Sequence, residues 1–99
     1  MIEYDKGIRV ASLNSPFSGR PVENQVEVEA GGLDYFFSYG TLVAVRKGGE
    51  IVLDETYWHC SNTTLKYLKV WLGFSGITKK DIKDGIKSGR FQTAKLNER

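Results

Sequence analysis

Leu33-Asp34-Tyr35-Phe36-Phe37-Ser38-Tyr39-Gly40-Thr41-Leu42-Val43-Ala44-Val45-Arg46 is the stretch whose reading decides the fold. Aromatic and β-branched residues crowd it, and such side chains suit a pleated, half-buried surface better than a helix. If the strand runs unbroken, Tyr35, Phe37, Tyr39, Thr41, Val43 and Val45 share one face. Gly40 marks either a bulge or a tight turn. The bulge is the favoured reading, because a two-residue hairpin of primed type would hold Tyr39 at positive φ.

Working toward the N-terminus, Gly31-Gly32 is a turn, and Val22 to Ala30 alternates before it. Val22, Val26, Val28 and Ala30 fall on one face, with Glu23, Gln25, Glu27 and Glu29 on the other. The expectation is a half-buried strand with an acidic, solvated outer stripe. Residues 1–21 carry Ser12, Asn14, Ser15, Pro16, Ser18, Gly19 and Pro21 without sustained periodicity, so they read as an irregular arm.

Toward the C-terminus, Lys47-Gly48-Gly49-Glu50 turns the chain into a short strand, Ile51 to Asp54. Beyond it the period lengthens toward 3.6. Leu65, Leu68 and Leu72 share a helical face, Ser61 to Thr64 supply capping oxygens, and Gly73 supplies the stop. A second helix follows Thr78, with Asp81 completing an imperfect capping box and Ile82 and Ile86 on one side. The expected fold is α+β in a single domain: about three antiparallel strands (22–30, 34–46 and 50–54), then helices over 62–72 and 79–88 packed on one face. Residues 90–99 are expected to form a tail.

Ninety-nine residues can bury one core, and no apolar run approaches the roughly 18 residues needed to cross a bilayer. Met1 to Lys6 has neither a basic nor an apolar signal region, and the lone Cys60 cannot close an internal disulfide, so a cytoplasm is the expected location. The net charge of +2 hides an asymmetry. Residues 1–65 hold five basic and nine acidic side chains, whereas 66–99 hold nine basic and three acidic ones. Lys66, Lys69, Lys79, Lys83, Lys87 and Arg90 are the candidate partner or nucleic-acid contacts, with Lys79, Lys83 and Lys87 recurring every four residues.

Catalytic and metal chemistry find little support. His59 and Cys60, the single His and the single Cys, supply at most two ligands where a structural zinc needs four. As neighbours on an extended chain they also point apart, which does not suit a nucleophile and its base. Ser38 lacks a nucleophile elbow, and the Gly-Gly pairs lack phosphate-loop spacing. No catalytic residue, cofactor or metal is expected. Among the aromatics Trp71 is assigned to the core, while Trp58 suits either position and is the candidate exposed ring.

Phe37-Ser38-Tyr39-Gly40-Thr41-Leu42-Val43-Ala44, followed by Ser61-Asn62-Thr63-Thr64-Leu65-Lys66-Tyr67-Leu68, resembles a family of small uncharacterised proteins from bacteriophages and plasmids. The resemblance implies a viral or mobile-element origin and action in a bacterial cytoplasm, and it transfers no activity. The expected function is that of a non-catalytic binder of a host or viral protein. The alternative is a nucleic-acid-binding accessory protein using the basic C-terminal helices, disfavoured by the acidic stripe on so small a domain. Association with a second copy through the acidic strand is a further expectation, and a membrane partner is not expected.

Overall fold

β1 (Ile2–Tyr4), β2 (Ile8–Asn14), β3 (Pro21–Ala30), β4 (Leu33–Ser38), β5 (Thr41–Lys47) and β6 (Glu50–Asp54) precede helices α1 (Asn62–Leu72) and α2 (Lys79–Ser88), and β7 (Gln92–Ala94) follows them. The computed structural model describes residues 8–73 and 76–97, together with the backbone of residues 2–4. The strands form one sheet in sequence order; β1 to β6 make an antiparallel meander and β7 joins β6 in parallel.

This mixed sheet replaces the expected three strands, and each correction has a local cause. Within the supposed arm, β2 pairs with β3 through Arg9↔Glu29 and Val10↔Val28, and the polar Ser15–Arg20 run is only their hairpin loop. The supposed single strand over 34–46 is a hairpin, because Tyr39 accepts φ 52° and Gly40 φ 78°, the two positive values a primed two-residue turn requires. The Tyr39 amide donates to the Asn24 carbonyl at 2.7 Å, which helps hold this costly conformation. A bulge does occur, but in β5: Phe36 pairs with Ala44 and Phe37 with Leu42, leaving Val43 as the extra residue. Val43 and Ala44 are consequently both buried.

The helices fall where the spacing places them. Ser61 caps α1 by accepting from the Thr64 amide, Thr78 and Asp81 form the complete capping box of α2, and Gly73 and Gly89 close the helices in left-handed conformation. Leu68, Leu72 and Ile82 are buried, and Leu65 and Ile86 pack against the same cluster with Phe36, Leu53, Trp58 and Trp71. The expected tail instead enters the core: Phe91 is buried and β7 pairs with β6, while Glu98 and Arg99 lie outside the described residues.

Phe91 explains a glycine in the middle of α2. A Cβ on Gly85 would stand 2.6 Å from the Phe91 ring, so the helix interior gives up the roughly 1 kcal/mol that alanine would add. Gly85→Ala is therefore expected to lower stability, by about 1–3 kcal/mol, since a buried ring has no room to retreat. A rise in Tm would mean that Phe91 packs elsewhere.

Candidate functional site

The helices cover one face of the sheet, and the strand register decides what lies on each side. Gln25, Phe36, Ala44 and Leu53 point under the helices and are buried. Cross-strand partners point the same way, so Arg9, Glu27, Glu29, Asp34 and Arg46 share this face. The expected assignment is thus reversed beyond Asn24, whose φ of 66° breaks the alternation: Gln25, Glu27 and Glu29 lie on the helix side and Val26 and Val28 on the other, while Val22 packs against the core as expected. The charges persist there because the paired ones also keep contact with water, the Arg9 and Glu29 side chains being 42% and 43% exposed. Arg9 bonds Glu29 at 2.9 Å, and Arg46 bonds Asp34 at 3.3 Å while its guanidinium lies 4.5 Å from the centre of the Trp71 ring.

Glu27 sits among these groups, and partial burial, with Glu29 and Asp34 nearby, pushes its pKa upward against the opposing pull of Arg46 and Arg9. The folded chain therefore holds this proton more tightly than the unfolded chain. Its contribution to stability is full below the ordinary carboxylate range and is lost as pH rises through the elevated value. Glu27→Gln is expected to raise Tm near neutrality and to change it little in acid, as followed by circular dichroism. A lower Tm near neutrality would contradict this.

Ser38, Ser61, Cys60 and Thr64 form a hydroxyl cluster at the start of α1. Thr64 Oγ1 lies 2.9 Å from the Ser38 hydroxyl and receives bonds from Ser61 at 3.1 Å and from the Cys60 thiol at 3.7 Å. These contacts anchor the helix on β4. Gln25, expected on a wet face, is buried beside them, and neither its amide oxygen nor its amide nitrogen has a partner among the described residues. His59 stacks on Trp58 at 4.3 Å rather than turning to Cys60. Among the described residues no group of His, Cys, Asp and Glu is arranged to hold a metal, and no helix is long and apolar enough to cross a membrane.

Trp58, the candidate exposed ring, is buried. Asp54 is the cause: its carboxylate accepts from the Thr56 and Tyr57 amides and winds the following turn so that Trp58 swings inward. The candidate cations have differing surroundings. Lys79 and Lys83 stand near enough to His59 to depress its pKa, after the larger effect of burial. Lys66 lies 5.3 Å from the centre of the Phe17 ring and 5.1 Å from that of Tyr67, and the Arg90 guanidinium lies 5.2 Å from that of Phe91. Lys69 is half-buried in the last turn of α1, and Lys87 is exposed in the last turn of α2. Lys80, beside this stripe, is tied to Asp84 at 3.0 Å.

The opposite face of the sheet has another character. Val10, Val28, Tyr35, Val45 and Val52 are successive cross-strand partners, one from each of β2 to β6. All five are half-buried, and none belongs to the helix-side core. Val26, Phe37 and Leu42 form a second row beside them, with the Phe37 ring 6.4 Å from that of Tyr35. Among the described residues the exposed charges of this face stand where the β5–β6 hairpin turns, at the paired Lys47 and Glu50; Asp54, at the other end of β6, is buried in its own hydrogen bonds, and exposed Gln92 ends the first row on β7. Sequence reasoning saw the valines but sent them to the core, because apolar stripes ordinarily face a domain's own helices. The register of Glu27 against Phe36 is what reverses them.

No curated protein and no solved structure matches this chain. Residues 16–88, from the β2–β3 loop through α2, match a family of unknown function, DUF8033. That span covers most of the sheet, both helices and most of the bare face, and the chain belongs to this family.

Proposed function

We propose that this chain is a non-catalytic binding domain that docks a protein on the bare face of its sheet. The observation that carries the reading is the uncharged row Val10, Val28, Tyr35, Val45 and Val52, which the chain's own helices leave uncovered. A contiguous apolar patch ringed by polar residues is where soluble domains meet other proteins. Protein docking is favoured over nucleic-acid binding because a net charge of only +2 and the carboxylates of the same small domain weaken the attraction for phosphates. Trp58 is buried and Lys66 is already engaged with rings.

The test is capture by the tagged chain from a bacterial lysate, with and without nuclease, alongside Val28→Lys. The expected result is a protein retained after nuclease and lost with Val28→Lys. Recovery of nucleic acid alone, sensitive to exchange of Lys79, Lys83 and Lys87 for Gln, would instead establish the helices as the binding surface.

A further inference from the structure

Resting on that reading, we infer that the protein docked on the bare face is a second copy of this chain, packed sheet on sheet about a two-fold axis. The alternation of β3 is amphipathic in the wrong sense for a monomer. Val26 and Val28 point away from the helices and Glu27 and Glu29 toward them, so this part of the strand calls for a cover on the valine side. Five strands about 4.8 Å apart, each spanning about five residues at roughly 3.4 Å per residue and turning two or three of them outward, make a face of roughly 24 by 17 Å. With side-chain relief and its polar rim this gives on the order of 600 Å² per copy, or about 1,200 Å² in all, the lower end of stable interfaces.

Charge selects the second copy. Two chains of net charge +2 repel where their basic helices approach each other, and meeting through the uncharged face keeps those helices apart. Sheet-on-sheet packing sends Lys79, Lys83 and Lys87 to the outer sides of the pair, separated by two sheets. Lys47 and Glu50 occur together at one end of the face, so a two-fold axis can set the lysine of each copy toward the glutamate of the other. A face whose centre lacks any charge also has the composition of a homodimer interface rather than of a transient one. Residues of alternating bulk, Val against Tyr and Val against Phe, interlock across two such sheets about 10 Å apart. The acidic strand, expected to mediate self-association, has its glutamates on the other side.

Sedimentation velocity from about 5 to about 500 μM tests this. The wild-type chain is expected to move from 11.1 kDa toward twice that mass. Val28→Lys, placed inside the row between Val10 and Tyr35, should remain monomeric throughout. Because a lysine there can disturb the strand, Val28→Thr with Val45→Thr serves as the second variant: it keeps the β-branched shape and should weaken association by at least about tenfold. Circular dichroism checks that each variant is folded. A wild-type chain that stays monomeric at the highest concentration, yet still captures another protein in a Val28-dependent manner, overturns the second copy and leaves the docking reading standing. A dimer that both variants retain forms through another surface and overturns the second copy on this face; if the Val28→Lys chain also captures the same protein as the wild type, the docking reading falls with it.

Discussion

Phe36→Ala is expected to cost about 3–5 kcal/mol, whereas Phe37→Ala in the monomer should cost roughly 1 kcal/mol or less. The two residues are neighbours of the same type, and only the phase of β4 separates them. Phe36 is fully buried and stacks on Trp71 with ring centres 6.1 Å apart; its removal leaves a cavity that Leu53, Ala44 and Leu68 cannot close without moving the helix. Phe37 touches Tyr35 and otherwise faces outward. Urea unfolding at low protein concentration measures both. Equal losses would mean that β4 is rotated by one residue, and the whole assignment of faces would fall with it, since a one-residue slip exchanges the two sides of a strand. In the dimer Phe37 becomes part of the interface, so the cost of Phe37→Ala should grow as the concentration rises, while that of Phe36→Ala should grow less.

Asp54→Ala should be comparably damaging, at roughly 3–5 kcal/mol, although no apolar contact is at stake. The buried carboxylate accepts from the amides of Thr56, Tyr57 and Leu96 at 3.1, 2.9 and 2.7 Å and from the Asn97 side chain at 3.3 Å. Asn97 in turn bonds both the amide and the carbonyl of Leu42 on β5, at 3.1 and 2.8 Å. One side chain therefore joins the end of β6, the turn that buries Trp58, and the residues after β7. Alanine strands several amides at once, and Trp58 fluorescence should shift to the red as the turn loosens. Asp54→Asn keeps one acceptor oxygen and should lose about half as much. A loss under about 1 kcal/mol for Asp54→Ala would show that the turn is held by its backbone alone.

Much of the helical half was legible in the sequence because its signals are local. Leu65, Leu68 and Leu72 set the phase of α1, Thr78 and Asp81 set the start of α2, and each lies within a turn of the feature it fixes. The sheet was less legible. β2 was hidden because its polar residues Ser12 and Asn14 lead straight into the Ser15–Arg20 loop, so that strand and loop read together as an arm. The Tyr39-Gly40 turn is illegible because positive φ at Tyr39 is locally unfavourable; the hydrogen bond to Asn24 that supports it comes from another strand and leaves no local signal. β7 is three residues long, too short for any period.

The faces of β3 were inverted for a more general reason. Alternation says which residues lie together but not which set meets the core. The choice of glutamates over valines depends on Arg9 and Arg46, contributed by β2 and β5, which neutralise them. The candidate site follows the same logic. Lys66, Lys79 and Trp58 stand out in a list of residues, whereas Val10, Val28, Tyr35, Val45 and Val52 are ordinary strand residues until four registers align them.

The central claim, that the valine face is an interface and the helix side is the core, is tested most directly by methyl NMR with a soluble paramagnetic probe at increasing protein concentration. Leu68 and Ile82 should be protected at every concentration, whereas Val10, Val28, Val45 and Val52 should be attacked in the dilute monomer and become protected together as the concentration rises. Valine methyls that stay equally accessible throughout, or that are protected even at high dilution, would contradict it.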